Sequence, residues 1–174
     1  MNKNSDASII VKISDIAGHG VFATRDIKEQ EIICIISGEE VSYIDLKHLV
    51  ASGSWAAGDS LQVAEDLFSL IVDPYRFLNH SCDPNAFIIG RYQLVAKRGI
   101  KSGDEITFDY SATMWEEADE VWKMQCNCVS KCCRHTIDQF YTLPLGLQKK
   151  LIKNGYVQDY ILTKWKSLGL SAKL

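Results

Sequence analysis

Over its first two-thirds, the chain is cut into strand-sized segments by glycine, aspartate and proline, a pattern that favours small β-sheets. The candidate strands are Ser8 to Ile13, Gly20 to Thr24, Glu31 to Ser37, Phe68 to Val72, Ala86 to Ile89, Tyr92 to Lys97 and Glu105 to Tyr110. Gly90-Arg91 predicts a tight hairpin turn, and residues 101–104 predict a second turn. Asp45 to Ala51 is compatible with one short helix. This part of the chain is therefore predicted to be mostly β, within the α+β class.

The last third of the chain has a different pattern. Trp115 to Gln125 is an acidic, helix-compatible linker, and a cysteine cluster follows it. Leu143, Leu147 and Leu151 are spaced by four and predict a helix. A second apolar stripe at helical spacing comes next: Val157, Tyr160, Ile161, Trp165 and Leu168. Such a stripe is typical of core packing or of a face that meets a partner, including a second copy of the chain.

Composition and charge exclude several classes of protein. With 174 residues and 47% hydrophobic residues, the chain can bury the core of one domain. Its 19 basic and 22 acidic residues give a net charge of −3, so direct nucleic-acid binding is not expected. The N-terminus lacks the pattern of a signal peptide, and no apolar run approaches the length of a membrane helix. We expect a soluble protein from a reducing compartment.

Three segments carry unusual residue combinations. Gly18-His19-Gly20 allows a sharp bend and a close backbone approach, although alone it fits a plain turn between strands better. Residues 76–85, RFLNHSCDPN, place polar side chains directly after an apolar strand. Because buried Asn and His side chains need hydrogen-bond partners, this segment predicts a rigid network or a ligand site. Residues 103–110, GDEITFDY, form a turn and a strand that ends in aromatic residues.

The cysteine cluster predicts a metal site. Cys126, Cys128 and Cys133 can supply three thiolates, and a structural zinc site needs a fourth ligand. Four residues could supply it: Cys34, Cys82, Cys132 and His135. The alternative is a group of buried thiols that bind nothing.

Taken together and in this order, these segments resemble the SET-domain protein lysine methyltransferases. The resemblance covers roughly residues 8–136, and RFLNHSCDPN followed by GDEITFDY is its specific part. It implies a fold of small curved β-sheets with a knot-like crossing, a zinc-binding post-SET segment and a helical C-terminal tail. The implied divisions are a SET domain at 8–111, an acidic linker at 112–125, the post-SET segment at 126–136 and a helical extension at 137–174.

The resemblance also implies a role for each matching residue. Tyr110 matches the catalytic tyrosine, which would position the lysine amine. Cys82 would complete a zinc site with Cys126, Cys128 and Cys133. Phe108 matches the position that tunes the product, where a phenylalanine implies di- or trimethyllysine. The residues implied to bind S-adenosylmethionine (SAM) are Gly18, His19, Gly20, Phe22, Arg76, Asn79 and His80.

The chain departs from the family pattern at one wall of the lysine channel. Ile36 stands where the family often has tyrosine, and Tyr43 is our candidate to replace it in the channel. An acidic group in the linker could attract a basic peptide, or could be an ordinary solvated helix face. Its members are Glu116, Glu117, Asp119 and Glu120.

The leading hypothesis is therefore a SAM-dependent methyltransferase that modifies a lysine of a histone or another basic protein. A non-catalytic SET-fold module that binds a peptide is the alternative, and a zinc-stabilised interaction domain is a third. The expected partner is a protein or peptide, with a homodimer as a further candidate and no membrane involved. The implied location is the nucleus or cytoplasm, or a host cell if the source is a microbe.

Overall fold

The computed structural model describes residues 8–115 and 122–169. The strands are β1 Ile9–Ile13, β2 His19–Ala23, β3 Ile32–Ile35, β4 Gly38–Ser42, β5 Ser60–Ala64, β6 Leu67–Ile71, β7 Asn79–His80, β8 Ala86–Ile89, β9 Gln93–Ala96, β10 Thr107–Phe108, β11 Met124–Gln125 and β12 Thr136–Ile137. The α-helices are α1 Tyr43–Ala51, α2 Leu145–Lys153 and α3 Asp159–Ser167. Short 3-10 turns occur at Ala57–Asp59, Tyr75–Phe77, Tyr110–Thr113 and Phe140–Thr142.

The described strands form small sheets, which confirms the mostly β body. Two three-stranded antiparallel sheets have the orders β3-β9-β8 and β4-β6-β5. β1 pairs with β2 and β11 pairs with β12, both antiparallel, whereas β7 and β10 are parallel. The predicted hairpin turn at Gly90-Arg91 joins β8 to β9, with Gly90 at φ 58°. The main apolar core lies between these sheets and is centred on buried residues such as Leu94 and Ile106.

The predicted strand Glu105 to Tyr110 is wrong in extent, because only Thr107–Phe108 is paired as a strand. The Asp109 side chain accepts a hydrogen bond from the Ser111 amide at 3.1 Å and so starts the 3-10 turn at Tyr110. Strands β4 and β5 were not predicted. The sequence of β4, GEEVS, has no apolar alternation, and pairing with β6 holds it in the sheet.

The helix-compatible prediction for Trp115 to Gln125 is wrong at its end. Met124–Gln125 is a strand that pairs with β12. Residues 116–121 lie outside the described part of the chain, and with them the acidic group Glu116, Glu117, Asp119 and Glu120.

The C-terminal tail is helical, as predicted, but its first helix begins at Leu145. Leu143 precedes that helix, because Pro144 occupies the cap position between them. In α3, Ile161 and Trp165 are completely buried, so the predicted stripe packs in the core. Leu168, at the end of the stripe, is 55% exposed, and the homodimer stays a prediction. No helix among the described residues is long and apolar enough to cross a membrane.

Candidate active site and thiol cluster

The parallel pair of β7 and β10 brings the two specific sequence segments together. Asn79 is paired with Thr107, and His80 with Phe108. The Ser81 amide extends the ladder by donating to the Phe108 carbonyl at 3.1 Å. This short ladder contributes to two features: Phe108 lines a cavity together with Tyr110, and His80 lies in a cluster that contains Cys82.

The cavity has a volume of about 390 Å³ and a mostly apolar wall. The rings of Phe108 and Tyr110 lie side by side in it, with their centroids 4.8 Å apart. Ile36 and the predicted channel residue Tyr43 both lie in the wall, so the departure at Ile36 leaves an aromatic residue nearby. Tyr75 and Trp122 also line the cavity. No motif contained these two, and sequence reasoning missed them.

The hydroxyl group of Tyr110 is fixed inside the protein. It donates to the Leu78 carbonyl oxygen at 2.7 Å. Burial raises the pKa of Tyr110 well above its ordinary value, and the negative charges of Asp59 and Glu105 act in the same direction. Tyr110 is therefore a neutral phenol at neutral pH, which can orient a ligand but is a poor general base.

Two cationic side chains also line the cavity, and each has a partner. Arg76 pairs with Asp73 and, at 3.4 Å, with Asp59. The Lys47 ammonium lies 5.6 Å from the centroid of the Tyr43 ring. Because two carboxylates offset the charge of Arg76, the wall can accept a positively charged group.

Most of the predicted SAM-binding residues form a separate group, since of the seven only Arg76 lines this cavity. Asn79 Nδ2 donates to the His19 carbonyl at 2.9 Å and to Glu105 Oε1 at 2.7 Å. Gly20 packs so closely on Glu105 that a Cβ would lie 2.2 Å from its carboxylate oxygen. A larger residue at this position would therefore displace the Glu105 carboxylate, which accepts the hydrogen bond from Asn79.

The remaining members of the group occupy its edges. Gly18 takes a positive φ of 47° at the turn. The Phe22 ring is half-buried, with the Lys12 ammonium 5.7 Å from its centroid. His19 contacts Phe77 with ring centroids 5.5 Å apart, and the Arg76 guanidinium lies 4.6 Å from the centroid of that ring. This row of three side chains connects the glycine turn to the cavity.

Two residues after strand β7, Cys82 meets Cys126 and Cys128. Their ligand atoms and one nitrogen of His80 all lie within 4.8 Å of one another, close enough to surround a metal ion. The predicted fourth thiol, Cys133, packs against the buried cluster of Cys126, Cys128 and Ile137. Cys132 is exposed, and its thiol donates to the Cys82 carbonyl at 3.6 Å. Three thiols with a fourth alongside match the donor set of a structural zinc site.

His80 fits better as a neighbour of the cluster than as a ligand. Its Nδ1 accepts a hydrogen bond from the Tyr110 amide at 3.1 Å. Burial lowers the pKa of His80 to about 4, so the ring is neutral and its one proton lies on Nε2. That nitrogen is 3.3 Å from Cys82 Sγ and donates to it. Cys133 therefore stays the predicted fourth ligand.

The surroundings of the thiols favour the thiolate form at Cys128. Burial raises the pKa of Cys128, but hydrogen bonds from the Cys82 amide and from Ser130 outweigh it and lower the value to about 6. Burial raises the pKa of Cys82 to about 11, although the Arg134 amide donates to its sulfur at 3.3 Å. A metal ion would favour the thiolate at each ligand position.

One ion pair near both features was missed by sequence reasoning. Arg134 donates to both oxygens of Asp109, at 2.9 and 2.6 Å, and also to Ser111 Oγ at 3.2 Å. Asp109 is 6% exposed at its side chain and Arg134 is 17% exposed. Buried charges of this kind are retained only when paired. The pair fastens the cysteine-rich segment to the turn that carries Tyr110.

Sequence comparison with known proteins agrees with this arrangement. The profile of the SET domain matches residues 18–111. The histone-lysine N-methyltransferase trithorax of Drosophila virilis is 33% identical over 135 residues, which cover 70% of this chain and 3% of that protein. A histone-lysine N-methyltransferase of Candida albicans, H3 lysine-36 specific, is 36% identical over 115 residues, 56% of this chain and 13% of that protein. The chain thus spans a small part of the length of these relatives.

The fold has a counterpart among solved structures. A crystal structure of KRYPTONITE in complex with mCHG DNA and SAH superposes with a TM-score of 0.59 at 21% identity, and covers 74% of this chain and 28% of that chain. At that identity the likeness concerns the fold alone. Since the SET profile matches more than half of the chain and the small sheets agree with a SET protein, this chain belongs to the SET-domain family.

Proposed function

We propose that this protein transfers methyl groups from SAM to the side-chain amine of lysine in a protein substrate. The observation that carries the proposal is Tyr110, whose hydroxyl is anchored to the Leu78 carbonyl in an apolar cavity beside Phe108. The relatives described above are named as histone-lysine N-methyltransferases, and the KRYPTONITE crystal contains SAH. With a net charge of −3, the chain favours a basic protein such as a histone over nucleic acid as its substrate.

Tyr110 and the apolar wall of the cavity have different roles in this reaction. When bound, SAM supplies a methyl group that its sulfonium makes electrophilic. The lysine must enter as a neutral amine, and an apolar wall favours that form by withholding solvation from the ammonium. Because the Tyr110 hydroxyl donates its hydrogen bond to the Leu78 carbonyl oxygen, the lone pairs of the phenolic oxygen are left to accept a hydrogen bond from the amine. Tyr110 thereby orients the nitrogen lone pair, and positioning of this kind supplies much of the rate.

Phe108 is proposed to set the extent of methylation. It packs against Tyr110 and carries no hydroxyl, so nothing at that position holds a water molecule in the space that added methyl groups need. The expected products are di- and trimethyllysine. Gly18, His19, Gly20, Phe22, Arg76, Asn79 and His80 are proposed to hold SAM, with the His19–Phe77–Arg76 row joining their group to the cavity.

Zinc is proposed to act as a structural ion held by Cys82, Cys126, Cys128 and Cys133. This role is supported by the closeness of the Cys82, Cys126 and Cys128 sulfur atoms and by the packing of Cys133 against their cluster. Bound there, zinc would fasten the cysteine-rich segment beside the turn that carries Tyr110.

The test is incubation of zinc-loaded protein with methyl-labelled SAM and mixed core histones or a cell lysate, followed by mass spectrometry of lysine. Tyr110→Phe should lower labelling by about 100-fold, the order reported for loss of one hydrogen bond at a reacting centre. Tyr92→Phe is the matched control, because the Tyr92 hydroxyl donates to Glu40 at 2.5 Å and Tyr92 does not line the cavity. Equal labelling by wild type and Tyr110→Phe would contradict the proposal. SAM binding without any labelling would favour a non-catalytic binding module.

A further inference from the structure

The C-terminal helices lie outside the residues matched by the SET profile, which ends at 111. They nevertheless pack against the body of the protein, around the buried side chains of Phe140, Ile161 and Trp165. One polar side chain of α3, Tyr160, leaves this apolar cluster and reaches the wall of the cavity.

The Tyr160 hydroxyl points at two acceptors. It lies 2.7 Å from the Thr113 carbonyl oxygen and 2.9 Å from Gln62 Oε1, so its single proton is shared between them. Thr113 and Gln62 both line the cavity, and they are 3% and 2% exposed. A buried carbonyl that loses its donor is costly, so the contact constrains the backbone at Thr113.

Thr113 in turn contacts Tyr110. Its side-chain hydroxyl donates to the Tyr110 carbonyl at 2.9 Å across the 3-10 turn Tyr110–Thr113. A chain of two hydrogen bonds therefore runs from α3 to the residue proposed to orient the substrate amine.

Gln62 makes a second connection to the same place. Its Oε1 also accepts from the Trp115 amide at 2.8 Å, two residues after Thr113. Lys164, one helical turn after Tyr160, pairs with Glu65 in the turn that follows β5. Helix α3 thus holds both strand β5 and the segment that leaves the Tyr110 turn.

From these contacts we propose that Tyr160 is a positioning residue that acts through Thr113 to fix the turn carrying Tyr110. The inference rests on the proposed function, since it assigns α3 to the same reaction. Tyr160 does not touch the substrate. It holds in place the backbone from which Tyr110 projects.

The test compares Tyr160→Phe with Tyr156→Phe as a matched control. Both changes remove one hydroxyl and keep the ring. The Tyr156 ring packs on Phe87, with centroids 4.5 Å apart, and Tyr156 does not line the cavity. Amide hydrogen exchange over residues 110–115 should quicken by about fivefold in Tyr160→Phe alone, as expected for the loss of one hydrogen bond. This readout does not depend on methylation.

Kinetics then separate positioning from a general loss of stability. With a peptide substrate, kcat of Tyr160→Phe should fall by about fivefold while KM changes little. Thr113→Val removes the next hydrogen bond, and the double variant should be no slower than the slower single variant, because both act on one chain of contacts. A fall in the melting temperature without faster exchange at 110–115 would overturn the proposal, and so would additive losses of kcat. If the wild type methylates nothing, the proposed function fails, but the exchange experiment still decides whether Tyr160 holds the turn.

Discussion

The cavity and the thiol cluster share the β7–β10 ladder, but they differ in how their polar groups are satisfied. In the cavity, Tyr110 is anchored to a backbone carbonyl, and Arg76 is paired with carboxylates. In the cluster, thiols face one another, with Cys82 Sγ and Cys126 Sγ 3.8 Å apart. Protein contacts alone can therefore hold the cavity in shape. Thiolates packed together repel one another, so the cluster gains most from a cation.

The first prediction tests that difference by removing the metal. With free zinc at roughly 5,000 times its Kd, chelation should lower stability by about 5 kcal/mol, because an ion that binds only the folded state contributes its binding energy to folding. For a chain of this size the melting temperature should fall by roughly 10 to 20 °C. Thermal unfolding with and without chelator, together with elemental analysis for zinc, measures the effect.

Cysteine variants identify the ligands. Cys126→Ser and Cys133→Ser should lose zinc and the response to chelator, whereas Cys132→Ser should keep both because its side chain is exposed outside the cluster. If the zinc content of Cys132→Ser falls and that of Cys133→Ser stays, the ligand set is wrong. An unchanged melting temperature on chelation would show that the cluster, like the cavity, is held by protein contacts alone.

The second prediction concerns the ion pair that joins the two regions. Arg134→Met should destabilise the protein by about 3 to 5 kcal/mol, since it leaves the buried carboxylate of Asp109 without its partner. Arg98→Met is the control, because the Arg98–Asp83 pair is exposed and should contribute less than about 1 kcal/mol. Denaturant unfolding measures both changes. Equal effects would mean that the buried pair does not connect the regions as proposed.

The fold was partly predictable, because many of its strands carry local signals. The hairpin of β8 and β9 follows from two apolar runs and the glycine between them. Strand β4 has no such signal, since GEEVS gains its place only by pairing with β6. The β7–β10 ladder has only two residues on each strand and joins positions 28 apart in the chain. Sequence periodicity cannot reveal a ladder of only two residue pairs, and only the family resemblance connected the two segments.

The site was predictable where residue types are distinctive. The cysteine spacing predicted a metal site, and the structure brings Cys126 and Cys128 beside Cys82. The Arg134–Asp109 pair has no sequence signal, because any of many charged residues could pair across such a separation. Tyr160 illustrates the same limit: helical spacing placed it in a stripe that packs on the core, where it is half-buried, but its hydroxyl contact with Thr113 depends on the packing of α3.

The third prediction changes the cavity and leaves the cluster intact. Phe108→Tyr adds one hydroxyl beside Tyr110 and should shift the product from di- and trimethyllysine toward monomethyllysine. The reason is that the new hydroxyl can hold a water molecule where added methyl groups would sit. Mass spectrometry of a peptide at several reaction times measures the product distribution, and zinc content should match that of wild type. If the product distribution is unchanged, Phe108 does not limit the space around the amine.

The fourth prediction concerns the smallest effect: the methylation rate should show no decline at high pH. Because burial raises the pKa of Tyr110, its hydroxyl should keep its proton, and its hydrogen bond to Leu78, through pH 10. The methylation rate should therefore rise as the substrate lysine loses its proton and then level off, without a decline near the ordinary tyrosine pKa. A pH–rate profile between about pH 7 and 10.5 measures this, with tyrosine ionisation followed by ultraviolet absorbance in wild type and Tyr110→Phe. A falling limb with an apparent pKa near 10 would show that Tyr110 ionises like an exposed phenol, and that the cavity does not shield it as its contacts imply.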